Sequence, residues 1–425
     1  MTSDRWHQDY RDLIRRLPAY AGNARLAICG LATCVDAYVR LDQAEALLSA
    51  ETGTPQAELA RELFRRAAAG VGGELRMDWP GGDTWIEKNL RISSWGLGGT
   101  GAQAAQTLAT VGAPTLMSLG DRGSRQLSVI HPEIQIAGNS GLIKCGDLPE
   151  SEALKPAHYI FEFTIGVKVG SVIPRRSTRT IVRFADDSLD NDPDFVRESI
   201  AAATTAGAGI VCGFNGVASQ RLETAVAETQ TLIHAWKDRG LKTIHLELGD
   251  YSSARSRDSV LKSLVRDITS LGMNHSELRG LCDGSPNPID RACELSAAFN
   301  LSRLCVHADT WALAVTRDNP EQELEALMMG CLLASSRAAV GYVNVPQRLP
   351  EGAQFIEPPL PVWKQHNGWF VVCCPAPYLI APVATIGLGD TFLAGTLLVL
   401  SAESAHAAES SGILYNHWMI EETHE

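Results

Sequence analysis

Ten cysteines are scattered through this 425-residue chain without a C-x-x-C pair or another metal-ligand spacing. That excludes a disulfide scaffold or a zinc ribbon, and the thiols read as reduced and mostly buried. No apolar run approaches the roughly 20 residues needed to span a bilayer. The opening "MTSDRWHQDYRDLIRRLPAY" lacks the apolar core of a signal peptide, so a cytoplasmic protein is expected. Positive charge is in deficit: 37 Lys and Arg stand against 49 Asp and Glu, a formal net charge of −12. A large nucleic-acid footprint would need a clustered positive surface, so nucleic acid is not an expected partner. Tandem repeats and low-complexity tracts are absent too.

What is present describes an ordinary soluble globular protein, with 45% hydrophobic and 20% charged residues. The length exceeds one simple domain, which predicts a main domain plus a smaller insert. Strand-like and helix-like segments alternate. "RLAICGLATCV" (25–35) reads as one buried strand, "PTLMSL" (114–119), "AGIVCGF" (208–214), "KTIHLEL" (242–248) and "SRLCVHA" (302–308) as others. Helical patterns cover 55–70, 101–113, 194–207, 219–240 and a stretch from Asn319-Pro320 to about Ala339. Asn319 suits the N-cap, Pro320 the first helical position, and Gln322 completes a capping box. The alternation predicts βαβ units and a mostly parallel central sheet covered by helices, with ligands bound outside the carboxyl ends of its strands.

Two regions break the rhythm. Residues 36–97 and 145–185 hold strand-like pieces, "VDAYVRL", "TWIEKNLRISSW", "HYIFEF" and "TRTIVRF". They are expected to form a small discontinuous β-rich lid over the cleft, leaving 1–35, 98–144 and 186–425 as the large α/β domain.

Five constellations carry chemistry. In "TIGLGDT", Gly387, Leu388 and Gly389 precede Asp390 at the start of an apolar helix. Such a turn offers unpaired amides to an anion and a carboxylate to a proton, or Asp390 simply caps the helix. In "IHLELGD", His245 and Glu247 share one face of a strand near its carboxyl end. A buried Glu there needs a cation or a hydrogen-bonding network, or it is an edge residue paired with Lys or Arg. In "MNHSELRG", Asn274 and Glu277 have capping-box spacing, and both also point to one spot where a hydrated Mg²⁺ could sit. "WGLGGTGAQ" supplies Gly98, Gly99 and Gly101 before an Ala-rich helix without G-x-G-x-x-G spacing, which suits a backbone wall against a small ligand or close helix packing. Asp36 directly follows the first predicted strand and either binds acceptor hydroxyls or caps a turn. Arg175, Arg176, Arg179 and Arg183 are local basic positions able to meet a phosphate.

In this order the five motifs resemble the ADP-dependent glucokinase and phosphofructokinase family of the ribokinase-like superfamily. The segments "HYIFEFTIG", "IVRFADD", "CGFN", "VHADTWAL" and "TIGLGDT" look like family segments in family order, over about residues 25–400. The resemblance implies a ribokinase-like three-layer α/β sandwich with a β-rich lid. It implies a Mg²⁺-dependent phosphotransferase moving a phosphoryl group from ADP to a sugar hydroxyl, with Asp390 as base and the amides of Gly387, Leu388 and Gly389 as anion hole. Glu247 and Glu277, with Asn274, would organise the metal. Arg183 and His307 would serve the donor, while Asp36, Gly99, Thr100 and His158 would contact the acceptor.

The chain departs from the family where an Asn-x-Asn-x-Asp pattern is usual: it has Ala32-Thr33-Cys34-Val35-Asp36. Two carboxamides that would hold sugar hydroxyls are missing, so a modified sugar, a nucleoside or another polyol stays open as acceptor. An ATP-dependent kinase of the same fold and a non-catalytic sugar or nucleotide sensor are the alternatives. A dinucleotide-dependent oxidoreductase is disfavoured by the missing fingerprint.

Overall fold

The computed structural model describes residues 3–139, 141–151, 155–251, 253–281, 286–360, 362–366 and 368–402. The expected frayed tail, "WMIEETHE", lies outside them. Two sheets organise the chain. The larger has eleven strands in the spatial order Val362–His366, Trp369–Pro375, Trp311–Thr316, Arg303–His307, Ser270–Asn274, Ile244–Glu247, Ala208–Val211, Ala27–Cys29, Thr115–Met117, Gln135–Gly138 and Gly141–Lys144. From Arg303–His307 to Gln135–Gly138 the pairings are parallel, and antiparallel strands close both sides. Runs such as Ala208–Val211 and Leu271–Met273 are buried on both faces, as a helix-covered parallel sheet requires. One core packs Tyr10, Leu332 and Leu397 on one side of the sheet, and a second packs Trp236, Leu246 and Leu264 on the other.

The smaller sheet has five strands, in the order Gly73–Arg76, Thr178–Arg183, His158–Phe163, Cys34–Arg40 and Ser94–Gly98. It has its own core of Leu41, Leu59, Leu63, Tyr159 and Phe161, built with the helix Pro55–Ala69.

Three expectations need correction. The single strand predicted over 25–35 is two, Ala27–Cys29 and Cys34–Arg40, one in each sheet. Gly30 to Thr33 carries the chain between the sheets, so Asp36 lies inside a strand of the smaller sheet rather than after the first strand. Most of "TWIEKNLRISSW" is helical: Gly82–Asn89 forms a helix that drives Ile86 into the small core, and the strand starts only at Ser94. Asn319 does cap the helix Pro320–Val340, accepting from the amides of Glu321 and Gln322. The Gln322 side chain, however, donates to the Val399 carbonyl at 3.4 Å instead of closing the box.

That contact belongs to the packing that places the last helix. Leu388–Leu400 lies against Pro320–Val340, and a Cβ on Gly395 would fall 2.7 Å from the Gly330 Cα. Only two glycines let these backbones touch, which fixes the helix and its first turn at the carboxyl ends of the parallel strands. Among the described residues no helix is long and apolar enough to cross a membrane, and nine cysteines are free and buried.

Candidate active site

Between the two sheets opens a cleft of about 1530 Å³. Of the residues singled out from sequence, it is lined by Gly387, Leu388, Gly389, Asp390, Glu247, Asn274, Glu277, His307, Asp36, Gly99, Thr100 and His158. Arg183, His245 and Gly98 are not in its lining.

The turn before the last helix comes first. Gly387 occupies the cap with φ 66°, a left-handed conformation that favours glycine, and no side chain caps the helix. Asp390 therefore is not the N-cap; it sits in the first turn and lines the cleft. Burial pushes its pKa up, while the Arg337 guanidinium and a hydrogen bond from Thr100 pull the other way without cancelling the shift. Arg337 reaches this point from the last turn of the helix Pro320–Val340, where it is buried. Its Nη1 lies 2.6 Å from Gln103 Oε1, 3.0 Å from Thr391 Oγ1 and 3.1 Å from the Gly387 carbonyl. Asp36 and Asp390 both attract it from across the cleft. No motif marks Arg337, and its place on an apolar helix is the one signal a sequence offers.

Glu247 ends the strand Ile244–Glu247. Its Oε2 is 2.9 Å from His245 Nε2, and its Oε1 is 3.8 Å from His307 Nε2. Burial opposes its charge, yet the hydrogen bonds from the two imidazoles outweigh burial and bring the carboxyl down to about 2. His245 is held from behind by Ser270 Oγ, 2.8 Å from Nδ1. Of the two readings open for Glu247, the network holds and the Lys or Arg pair does not. His307 packs its ring against Phe392 at 5.2 Å and is raised in pKa because Glu247 outweighs burial.

Asn274 and Glu277 close a reciprocal box. The Asn274 amide donates to Glu277 Oε2 at 2.8 Å, and the Glu277 amide donates to Asn274 Oδ1 at 2.9 Å. Burial, with repulsion from Glu247 added to it, pushes the Glu277 carboxyl up to about 7 despite the Asn274 amide. Two buried carboxylates thus face one space with an unfavourable like charge between them.

At the other end, strand register sets Asp36 opposite His158. Cys34 Sγ lies 3.4 Å from His158 Nδ1, and His158 Nε2 lies 3.1 Å from Asp187 Oδ1. Burial raises Asp36 to about 6, with His158 opposing and Asp390 reinforcing the shift.

Arg183 is spent elsewhere. Its Nη2 is 2.6 Å from Glu74 Oε2 and its Nη1 is 2.8 Å from Asp187 Oδ2, so it ties strands and loops together. The arginine of that strand which lines the cleft is Arg179. Burial lowers its pKa and its field reaches Asp390, while its Nε has no hydrogen-bond partner among the described residues.

Residues 26–293 match the family model described as the ADP-specific phosphofructokinase/glucokinase conserved region. An ADP-dependent glucose/glucosamine kinase of Pyrococcus abyssi is 25% identical over 268 residues, 55% of this chain and 59% of the relative. An ADP-specific phosphofructokinase of Pyrococcus furiosus is 26% identical over 295 residues, 59% of this chain and 64% of the relative. The chain thus spans about three fifths of the length of these two relatives. Among solved structures, an ADP-dependent kinase in complex with fructose 6-phosphate and ADPβS superposes with a TM-score of 0.77 at 18% identity, covering 94% of this chain and 99% of the other. The fold is that of the ADP-dependent kinases, a ribokinase-like sandwich.

Proposed function

This chain belongs to the ADP-specific phosphofructokinase/glucokinase family, and on that premise we propose that it moves a phosphoryl group from ADP to a hydroxyl of a sugar or sugar-like acceptor. The observation that carries the reading is the convergence of Asp390, Glu247 and Glu277, far apart in sequence, on one cleft beneath a second sheet. The smaller sheet with its helices, 36–97 and 145–185, is the lid that excludes water. Residues 1–35, 98–144 and 186–425 are the donor domain. Reduced, buried cysteines support a cytoplasmic location.

The acceptor oxygen attacks the β-phosphorus of ADP in line, the P–O bond to the AMP portion breaks, and Asp390 takes the hydroxyl proton. Its raised pKa brings it closer to neutrality and makes it a better base than an ordinary aspartate. The amides at the head of Leu388–Leu400, at Gly387, Leu388 and Gly389, meet the charge that spreads over the transferring group. Arg179 takes the role expected of Arg183: it lines the cleft, and its charge acts on the Asp390 region. His307 borders the same turn. Asp36, Gly99, Thr100 and His158 line the acceptor end, and Thr100 also holds Asp390.

The family implies Mg²⁺, and the donor set fits a hard cation. Glu247 and Glu277 are oxygen donors forced together in a buried space, with Asn274 orienting Glu277. These residues would hold the ion, largely through water, and it would neutralise donor phosphate charge.

Steady-state assays with ADP and ATP against a panel of sugars, nucleosides and polyols test the proposal. Asp390→Ala should lower turnover by about 10²–10⁴-fold with donor affinity nearly unchanged. Turnover at the wild-type rate would remove Asp390 from the chemistry.

A further inference from the structure

One cluster of side chains is not explained by phosphoryl transfer. Cys34 Sγ lies 3.4 Å from His158 Nδ1 and 3.9 Å from Asp36 Oδ1, and His158 Nδ1 lies 3.9 Å from the same oxygen. A sulfur, a nitrogen and an oxygen thus form a nearly equilateral triangle. Tetrahedral zinc, with bonds of about 2.3 Å to sulfur and about 2.0–2.2 Å to nitrogen and oxygen, separates its ligand atoms by about this much. Hydrogen bonding explains the triangle poorly, since the 3.9 Å from His158 Nδ1 to Asp36 Oδ1 is too long and the thiol that reaches Asp36 at 3.9 Å is a weak donor.

Three further features fit an ion. The outer ring nitrogen, His158 Nε2, meets Asp187 Oδ1 at 3.1 Å, the carboxylate–histidine pairing that fixes the tautomer and aims Nδ1 at a metal. Asp187 is itself anchored by Arg183 Nη1 at 2.8 Å. A Cβ on Gly98 would collide with both Asp36 Oδ1 and Cys34 Sγ, so the glycine leaves this side of the triangle open. Cys34, Asp36 and His158 also all border the cleft.

We propose that Cys34, Asp36 and His158 form an open three-ligand site for a divalent transition ion of the zinc class, with its fourth position facing the acceptor end of the cleft. Cys34 binds as thiolate and releases its proton to solvent on uptake, and the two anionic ligands cancel the charge of the ion. Sulfur and imidazole select this class over magnesium, which keeps to oxygen donors. The site stands where two carboxamides are missing. Binding of the ion does not rest on the phosphotransfer reading; only its closeness to an acceptor does.

The test uses the full chain, stripped with a chelator and titrated with Co²⁺ as a spectroscopic probe, with Zn²⁺ in competition. One Co²⁺ per chain, a near-ultraviolet thiolate-to-cobalt band, and its displacement by Zn²⁺ but not by Mg²⁺ are expected. Cys34→Ser should abolish the band and weaken binding tenfold or more, and His158→Asn should weaken binding equally. Asp187→Asn should keep the band and weaken binding about tenfold. Wild-type protein without the band, or a band that survives in both C34S and H158N, overturns the site. Should C34S fail to fold, H158N and D187N decide the same question. A chain that binds Co²⁺ but phosphorylates nothing upholds the site and defeats the phosphotransfer reading; turnover without the band does the reverse.

Discussion

The two ends of the cleft are built on different plans. At the proposed transfer end, Asp390, Glu247 and Glu277 stand on a helix start, a strand end and a capping box, so backbone geometry aims them. At the acceptor end, Cys34, Asp36 and His158 sit side by side on neighbouring strands of the smaller sheet, and only side-chain identity decides what they hold. The first kind of site is tied to the fold; the second can change chemistry by single substitutions while the sheet stays intact. That difference matches a chain whose transfer motifs resemble its family and whose Asn-x-Asn-x-Asp position does not.

The comparison can be broken hardest at Arg337. Arg337→Met leaves Gln103 Oε1 without this donor, strips one of the donors from the Gly387 carbonyl and removes a cation that acts on both Asp390 and Asp36. A loss of about 3–5 kcal/mol in denaturant-unfolding stability is expected, the cost of breaking a buried charged network. A change below about 1 kcal/mol would mean that the transfer end does not depend on this scaffold. Glu277→Gln removes a proposed oxygen donor while keeping shape. The Mg²⁺ concentration for half-maximal turnover should rise about tenfold or more, and an unchanged titration would take the metal from this carboxylate. Cys34→Asn restores one carboxamide at the acceptor end. The kcat/KM ratio for hexoses over other polyols should rise about tenfold with the donor KM unchanged; a shift in the donor KM instead would show that the two ends are not separable.

A smaller effect sharpens the picture. As the proposed base, Asp390 would work deprotonated, and burial lifts its pKa, so the acid limb of kcat/KM should fall above the ordinary aspartate value of about 3.9. Arg179 favours the ionised carboxylate, so Arg179→Gln should move that limb to higher pH by less than about one unit. A pH–rate profile moved downward would place Arg179 away from the base.

Much of the fold is legible because alternating buried strands and amphipathic helices follow local patterns. The parallel pairing and the helix cap at Asn319 follow from such patterns, whereas the convergence on the cleft is what the family resemblance implies. What is not legible depends on contacts across the chain. Arg179 and Arg183 are four apart on one strand, so parity cannot say which reaches the ligand and which is captured by Glu74. Helix Gly82–Asn89 resembles a strand because its two apolar residues, Trp85 and Ile86, carry strong β propensity. The Cys34–His158 approach joins residues 124 apart, so no local spacing rule for metal ligands detects it.

Arg183 also has a mechanical consequence. Besides gripping Glu74 and Asp187, its Nη1 approaches the Gly216 carbonyl at 3.4 Å, while Asn215 Nδ2 donates to Glu74 Oε1 at 3.0 Å. Gly216 and Asn215 follow a strand of the eleven-stranded sheet, and Glu74 and Arg183 belong to the five-stranded one. The seam is stitched at this corner by charge, so parting the two sheets here means breaking the Arg183–Glu74–Asn215 contacts together. The loop after Phe163 makes a second stitch, with Arg176 reaching Asp309 at 2.8 Å, so the two bodies are pinned at more than one point.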